Sequence, residues 1–232
     1  MVLSGKKRVI LVFGSLIVIS IIVNIAIIAS NGGFQNPSRS IKIPNTQDLW
    51  FAGINIKEGD ELLYNLTIGN ENTKFENYLI KMVFKGNQNY WNTEFTVSNE
   101  SVSTIIYGNL SKSNLIMKEK SLKNQQYLDI IESSILQIRD ITREPKFLVI
   151  GAKWDSIDTG ITSIPITINE IENLNISIGN LETFLLNHNI KNKNSNIWIS
   201  KALPLPVKAE VYNVDGLLKY KYNLRSTNIK VN

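Results

Sequence analysis

The chain has 232 residues, with 25 Lys and Arg against 20 Asp and Glu, one histidine and no cysteine. The lack of cysteine excludes disulfide bridges, thiolate nucleophiles, cysteine-ligated zinc and a lipid-modified N-terminal cysteine, and a single histidine excludes multi-histidine metal sites. Three of the five excess positive charges belong to Lys6, Lys7 and Arg8. The basic balance is therefore largely a property of the N-terminus and does not indicate nucleic-acid binding.

The first predicted element is a transmembrane helix over residues 9–29. This stretch carries no charge, and as a helix it would span about 31 Å, close to the roughly 30 Å hydrocarbon core of a bilayer. The cluster Lys6-Lys7-Arg8 precedes it, so the positive-inside rule predicts a cytoplasmic tail at 1–8 and an extracytoplasmic remainder at the cytoplasmic (plasma) membrane. A cleaved signal peptide is the alternative, with Ala26 and Ala29 resembling a cleavage site, although its apolar core would be shorter, about 7–15 residues.

Residues 30–48 are rich in Gly, Pro, Ser and Asn, which predicts a linker to a single domain at 49–232. Four Asn-x-Ser/Thr triplets in that domain are candidate glycosylation sites on an exported chain, at Asn65, Asn99, Asn109 and Asn175. An Asn-rich sequence also produces such triplets by chance. Asn65 and Asn175 fall on the polar side of their predicted strands, where a glycan could be carried.

Most of the domain alternates between apolar and polar residues, which predicts about ten β-strands. Leu62, Tyr64 and Leu66 begin the first clear strand, and Asp215-Gly216 between two alternating runs predicts a C-terminal hairpin. Strands joined by short turns pair antiparallel, and a sheet this wide must curl. We therefore expect a mainly-β domain built on a curved antiparallel sheet, an unclosed half-barrel.

Residues 121–142 interrupt this alternation. Their apolar positions recur at steps of three, four and seven, which predicts one long amphipathic helix with Ser121 as its N-cap and Pro145 just beyond its end. We expect this helix to pack on the concave face of the sheet. An apolar ligand site between helix and sheet would be lined by Trp91, Phe95, Tyr127, Ile131, Ile135, Ile138 and Phe184. The alternative is that these side chains fill a solid core.

No catalytic motif is present in the sequence. His188 has no serine elbow, cysteine or neighbouring acid to pair with, so a structural or cavity-edge role is expected. Asp155 and Asp158 lie near Gly160 but lack the further acids of a calcium loop, and we expect a turn between strands there. The sequence predicts a non-enzymatic protein with no cofactor and no metal.

Lysines and tyrosines near the C-terminus form a modest basic area. The lysines are Lys191, Lys193, Lys219 and Lys221, and the tyrosines are Tyr212, Tyr220 and Tyr222. Such a stripe could contact anionic lipid headgroups or glycans. Residues of this kind more often form sheet surface and protect sheet edges.

The order of the last strands resembles that of a known family. After Ile178–Phe184 come Asn196-Ile-Trp198-Ile-Ser200, then Leu203-Pro-Leu-Pro-Val-Lys208, then the turn at Asp215-Gly216. A tryptophan strand, a proline-valine strand, a glycine turn and a final strand resemble the closing strands of the LolA-like superfamily of lipoprotein-localisation factors and related envelope proteins. The resemblance covers roughly residues 178–224. It implies an unclosed β-half-barrel, helices over its concave face and an apolar cavity for acyl chains, with no catalytic motif.

Three functions follow from these expectations. The first is a membrane-anchored, extracytoplasmic binding module for an apolar or lipid-like ligand. The second is an envelope structural or assembly component that binds another protein through an exposed apolar patch. The third is a hydrolase, which would need a cleft joining His188 to a carboxylate and a hydroxyl.

Overall fold

The structure is a computed structural model that describes residues 48–69, 74–86, 88–120, 124–160 and 162–231. The predicted cytoplasmic tail, the predicted transmembrane helix and residues 30–47 of the predicted linker lie outside the described residues. Within the described residues, no helix is long and apolar enough to cross a membrane. Asp48, the last residue of the predicted linker, is buried and forms an ion pair with Lys201, Oδ1 to Nζ 2.6 Å, so it belongs to the folded part.

Thirteen strands and two helices are found in the described part of the chain. The strands are β1 (Leu49–Trp50), β2 (Glu61–Gly69), β3 (Phe75–Gly86), β4 (Tyr90–Ser98), β5 (Ser103–Ser111), β6 (Met117–Lys120), β7 (Lys146–Phe147), β8 (Lys153–Asp158), β9 (Ser163–Ile176), β10 (Gly179–Ile190), β11 (Lys193–Ile199), β12 (Lys208–Tyr212) and β13 (Leu218–Thr227). The helices are α1 (Gln125–Glu132) and α2 (Ile138–Ile141).

Eleven of the described strands form one sheet in the order β6-β5-β4-β3-β2-β13-β12-β11-β10-β9-β8, and every neighbouring pair is antiparallel. The sheet is curved and unclosed, with β6 and β8 as its edges. β13 joins the two halves by pairing with β2, which places Tyr222 opposite Leu66. β1 and β7 form a separate two-stranded sheet. The mainly-β, wide, curved antiparallel sheet predicted from the alternation is confirmed.

The alternation buries one face of this sheet. On β2, Leu62, Tyr64 and Leu66 are buried while Asn65 between them is exposed. Burying a side chain of this size contributes about 1.5–3 kcal/mol. The polar atom of a buried aromatic must still be satisfied. The Tyr64 hydroxyl donates to the backbone carbonyl of Pro206 at 3.0 Å, so the loop after β11 packs over the buried face.

The prediction of one continuous helix over 121–142 is wrong. α1 ends at Glu132, residues 133–137 form turns, and α2 is a separate four-residue helix. The Ser133 and Ser134 hydroxyls both donate to the carbonyl of Ile130, at 3.3 and 2.6 Å, and so compete with the backbone ladder. The amide of Leu136 then bonds five residues back, to Ile131, at 3.0 Å.

Long-range contacts hold the chain in this broken shape. The Arg139 guanidinium donates to the carbonyl of Leu115 at 3.0 Å and pairs with the Glu132 carboxylate at the end of α1. The break lets both Ile135 and Leu136 be fully buried. A straight helix would direct these adjacent side chains about 100° apart, because it has 3.6 residues per turn. An apolar period alone cannot tell the two arrangements apart.

Two strand boundaries also differ from the sequence prediction. The alternation predicts two separate strands at Ile161–Ile168 and Leu174–Ile178, with a polar run around Glu170 between them. The structure instead has one continuous β9, which pairs with β10 across a bulge at Leu185/Leu186. The expected turn around Asp155 is largely strand β8, and the chain turns after Asp158, whose Oδ1 accepts the Gly160 amide at 2.8 Å.

Candidate functional site

An open groove of about 420 Å³ lies on the buried face of the sheet, between α2, the edge strand β8 and strands β9–β13. Its size is within the 300–1,000 Å³ typical of small-molecule sites. Eight aliphatic residues form much of its wall: Ile138, Ile141, Ile157, Ile166, Ile190, Ile197, Val211 and Val214. Its polar lining is formed by Gln137, Asp140, Asp155, Ser156, His188, Asn213 and Lys219, and two tyrosines, Tyr212 and Tyr220, complete it.

The groove exists because the helical cover is too short for the sheet beneath it. Alternation puts Ile166, Ile190, Ile197 and Val211 on the same face of β9, β10, β11 and β12. Five strands from β9 to β13 extend over about 19 Å at roughly 4.8 Å per neighbour. α2 has four residues, which is about 6 Å of helix. The remaining aliphatic surface stays open as the groove.

Lys219 is the cationic group of the groove. Its Nζ donates to Gln137 Oε1 at 3.2 Å, which links β13 to the turn before α2. Partial burial lowers the pKa of Lys219, and the Asp140 carboxylate opposes that shift. An ammonium group has three donors, and the bond to Gln137 occupies one of them. Lys219 can therefore donate to a polar group of a ligand in the groove.

His188 lies on β10, faces the groove and is only 7% exposed. Burial lowers its pKa, so the imidazole is neutral at pH 7. Ser195 is directly opposite on β11, but it is fully buried and its Oγ accepts the Tyr212 amide at 3.0 Å. Among the described residues, no hydrogen bond joins His188 to Ser195 or to Asp155. The three groups do not form a catalytic triad, which requires such bonds.

The residues predicted to line a site are mostly elsewhere. Ile138 lies on the groove, while Phe95, Ile131 and Ile135 are fully buried in the core. Phe184 is also buried, with Lys201 Nζ 5.3 Å from its ring centroid.

The two other predicted site residues pack against aromatic neighbours. Tyr127 of α1 contacts Tyr78 of β3 edge-on, with ring centroids 6.4 Å apart. Trp91 packs edge-on against Phe84 at 6.2 Å and is buried. The predicted residues thus belong to the hydrophobic core or, as Tyr127 does, pack against it, and a binding role for them stays a prediction.

Sequence reasoning missed most of the groove wall. Alternation is consistent with the inward orientation of Ile166, Ile190 and Ile197, but none of the three was predicted to line a site. No local signal showed that the helix breaks and leaves a groove beside them. The expected stripe of lysine and tyrosine is divided, because Tyr220 and Tyr222 are buried in the core while Lys191, Lys193 and Lys221 are exposed.

The four candidate glycosylation sites differ in accessibility. Asn65, Asn99 and Asn175 are exposed, and Asn109 is half-buried. The Asn99 side chain accepts the amide of Val102 at 3.1 Å, which orders its turn. Glycosylation at these positions stays a prediction.

The described residues contain no group of three or more His, Cys, Asp or Glu side chains that could hold a metal ion. Asp155 and Asp158 are both exposed on β8. The Asp155 Oδ1 accepts the amide of its neighbour Ser156 at 2.8 Å, so this carboxylate is already used in local structure.

No family model and no curated protein matches the sequence. Among solved structures, a protein from Bacteroides fragilis NCTC 9343, described as exported and as having a YmcC-like fold, is 11% identical with a TM-score of 0.38; the match covers 78% of this chain and 99% of that chain. A domain from Vibrio parahaemolyticus, described as an outer membrane lipoprotein-sorting protein domain, is 12% identical with a TM-score of 0.24, over 75% of this chain and 87% of that chain. At TM-scores this low, neither likeness is an argument for a shared function.

Proposed function

We propose that the protein is a membrane-anchored, extracytoplasmic binding module that holds an apolar, chain-like ligand in the groove between α2 and the sheet. The sheet would act as an unclosed half-barrel, and the predicted anchor at 9–29 would keep it outside the cytoplasmic membrane. The observation that carries the proposal is the aliphatic wall of the groove, which includes Ile138, Ile166, Ile190 and Ile197.

The energetics suit an alkyl chain. Each buried methylene contributes about 0.8 kcal/mol, so eight of them would contribute about 6 kcal/mol before the entropy cost of binding. An aliphatic wall offers such a chain few directional contacts. Binding would therefore select for apolar length rather than for one exact structure.

The polar lining suits a ligand with one polar end. Lys219 and Gln137 form a hydrogen-bonded pair at the groove. His188, neutral at pH 7, and Asn213 add further hydrogen-bonding groups. An amphiphile with its chain along the isoleucines and its polar end near Lys219 would satisfy both parts of the site.

Photo-crosslinking tests this proposal. The full chain, reconstituted in nanodiscs, is mixed with a diazirine-bearing fatty acid, irradiated and digested. We expect crosslinks in the peptides that carry α2, β10, β11 and β12, and we expect an excess of unlabelled fatty acid to suppress them. Crosslinks confined to residues 9–29, or spread evenly over the domain, would contradict the proposal. The test variant is Ile190→Glu, which places a charge in the groove wall. Its control is Ile171→Glu, at an exposed position on β9 that does not line the groove.

A second candidate function rests on a different surface. Val102, Ile105 and Tyr107, on β5 and the turn before it, are all more than half exposed. An apolar patch of this kind is a common feature of protein contacts. It favours the alternative of an envelope assembly component. A benzophenone amino acid at Ile105 would capture that partner in intact envelopes, whereas the same probe at Ile171 would not.

A further inference from the structure

Two hairpin turns lie side by side at the mouth of the groove. The first is Lys191-Asn192, between β10 and β11, where both residues have positive φ, 47° and 61°. The second is Val214–Gly216, between β12 and β13. A Cβ placed on Gly216 would lie 3.7 Å from Lys191 Cβ and 3.8 Å from Lys193 Cγ, so the two turns are in contact. We call residues 190–193 and 213–217 the groove-mouth turns.

The groove-mouth turns expose aliphatic side chains. Val214 is 54% exposed and Leu217 is 44% exposed, although both are apolar. Val214 also lines the groove, together with Ile190 at the end of β10. The apolar surface is therefore continuous from the groove wall to the tips of the turns.

Exposed lysines surround these tips. The Lys191 side chain is 62% exposed, and Lys193 is exposed beside it. Lys191 Nζ lies 3.4 Å from Asp215 Oδ1, but both groups are open to water, so this pair is weak and leaves the lysine available. Lys193 Nζ lies 5.7 Å from the Tyr212 ring centroid, at the side of the groove. Two cations and one carboxylate give the turns a net positive charge.

We propose that the groove-mouth turns dock on an anionic lipid bilayer. Val214 and Leu217 would enter the headgroup region, and Lys191 and Lys193 would contact lipid phosphates. Aliphatic tips with flanking lysines are the combination that binds this interface, because the lysine stems lie along apolar surface while their charges meet anionic headgroups.

A bilayer fits these turns better than a protein partner does. A stable protein interface buries about 1,200–2,000 Å² in total and needs a complementary shape. Two narrow turns with two aliphatic tips provide neither a broad face nor a pocket. A fluid headgroup layer adapts to such a convex surface and supplies negative charge to the lysines. This inference goes beyond ligand binding, since the turns can dock whether or not the groove is filled.

The absence of cysteine from the chain makes a site-specific test direct. Val214→Cys and Ile105→Cys are made in the full chain, labelled with an environment-sensitive fluorophore and reconstituted in vesicles. The two positions are matched, at 54% and 55% exposed, but Ile105 lies on β5, far along the sheet order from β12 and β13. Quenching by nitroxide lipids is compared in phosphatidylcholine vesicles with and without phosphatidylglycerol.

We expect the label at 214 to shift to the blue and to be quenched in anionic vesicles, while the label at 105 stays as in water. Lys191→Gln combined with Lys193→Gln should lower the ratio of docked to free protein by roughly thirtyfold. Lys221→Gln, an exposed lysine outside the turns, should leave it unchanged. Equal quenching at 214 and 105, or quenching indifferent to anionic lipid, would overturn the proposal. Protection of the 214 label that persists in micelles would assign the turns to a contact between copies of the chain, and would overturn it as well.

Discussion

The two halves of the sheet follow the same alternation but end in different states. In the first half, strands β2–β5 present side chains such as Ile80 and Phe95 that are fully buried. Beside α2, strands β9–β12 present Ile166, Ile190 and Ile197, which remain 5–8% exposed along an open groove. The eight-residue α1 contacts the first half, where Tyr127 packs against Tyr78 of β3, and the four-residue α2 lies beside the second half, along the groove. Whether an apolar strand face becomes core or binding surface thus depends on its cover.

The largest expected effect is a loss of stability on substitution in the covered half of the sheet. Phe95→Ala removes a fully buried ring and should lower the free energy of unfolding by about 3–5 kcal/mol, because the surroundings only partly close the cavity. Urea titration of the reconstituted chain, followed by tryptophan fluorescence, measures it. Ile171→Ala, at a position 44% exposed, is the control and should change the value by less than about 0.5 kcal/mol. A Phe95 variant as stable as that control would show that this half is not tightly packed.

A matched pair of substitutions sharpens the comparison between the halves. Ile135→Ala and Ile190→Ala delete the same atoms from the covered core and from the groove wall. Such changes cost about 2–5 kcal/mol, and we expect Ile135 near the top of the range and Ile190 near the bottom, because water enters the open groove more readily than a closed cavity. Only Ile190→Ala should weaken fatty-acid crosslinking. The opposite order of stabilities, measured by urea titration, would contradict the assignment of open and covered halves.

The smallest expected effect concerns pH in the open half. Burial lowers the pKa of His188 below its unfolded value, so the unfolded chain binds the proton more readily. The contribution of neutral His188 to the free energy of unfolding is then fully present above the unfolded pKa, about 6.5. It is lost progressively as the pH falls below that value. Since His188 is the only histidine, His188→Gln should flatten the dependence of the urea midpoint on pH in this range. Asp140, Asp155 and Lys219 share the groove and remain in both proteins. An unchanged slope in the variant would show that His188 is not responsible.

Local patterns were sufficient for most strands, though not for the bounds of β8 and β9, and for the hairpin at Asp215-Gly216. The period of two reflects how successive side chains point to opposite faces, which is a property of each strand alone. Gly216, with φ of 78°, adopts the conformation that its turn needs. The inward orientation of Ile166, Ile190 and Ile197 obeys the same rule.

The position of the groove could not be read from any local pattern. It depends on the helix break after Glu132, which is held by Arg139 reaching Leu115, 24 positions earlier. It depends equally on how the rest of the face is covered, as where the Trp50 indole donates to the Leu203 carbonyl 153 positions away, at 3.0 Å. Periodicity tells which face of a strand is apolar, whereas the cover over that face is set by contacts between distant segments. The sequence alone was therefore enough to predict a wide, curved antiparallel sheet, whereas only the tertiary structure decided which part of its apolar face stays open.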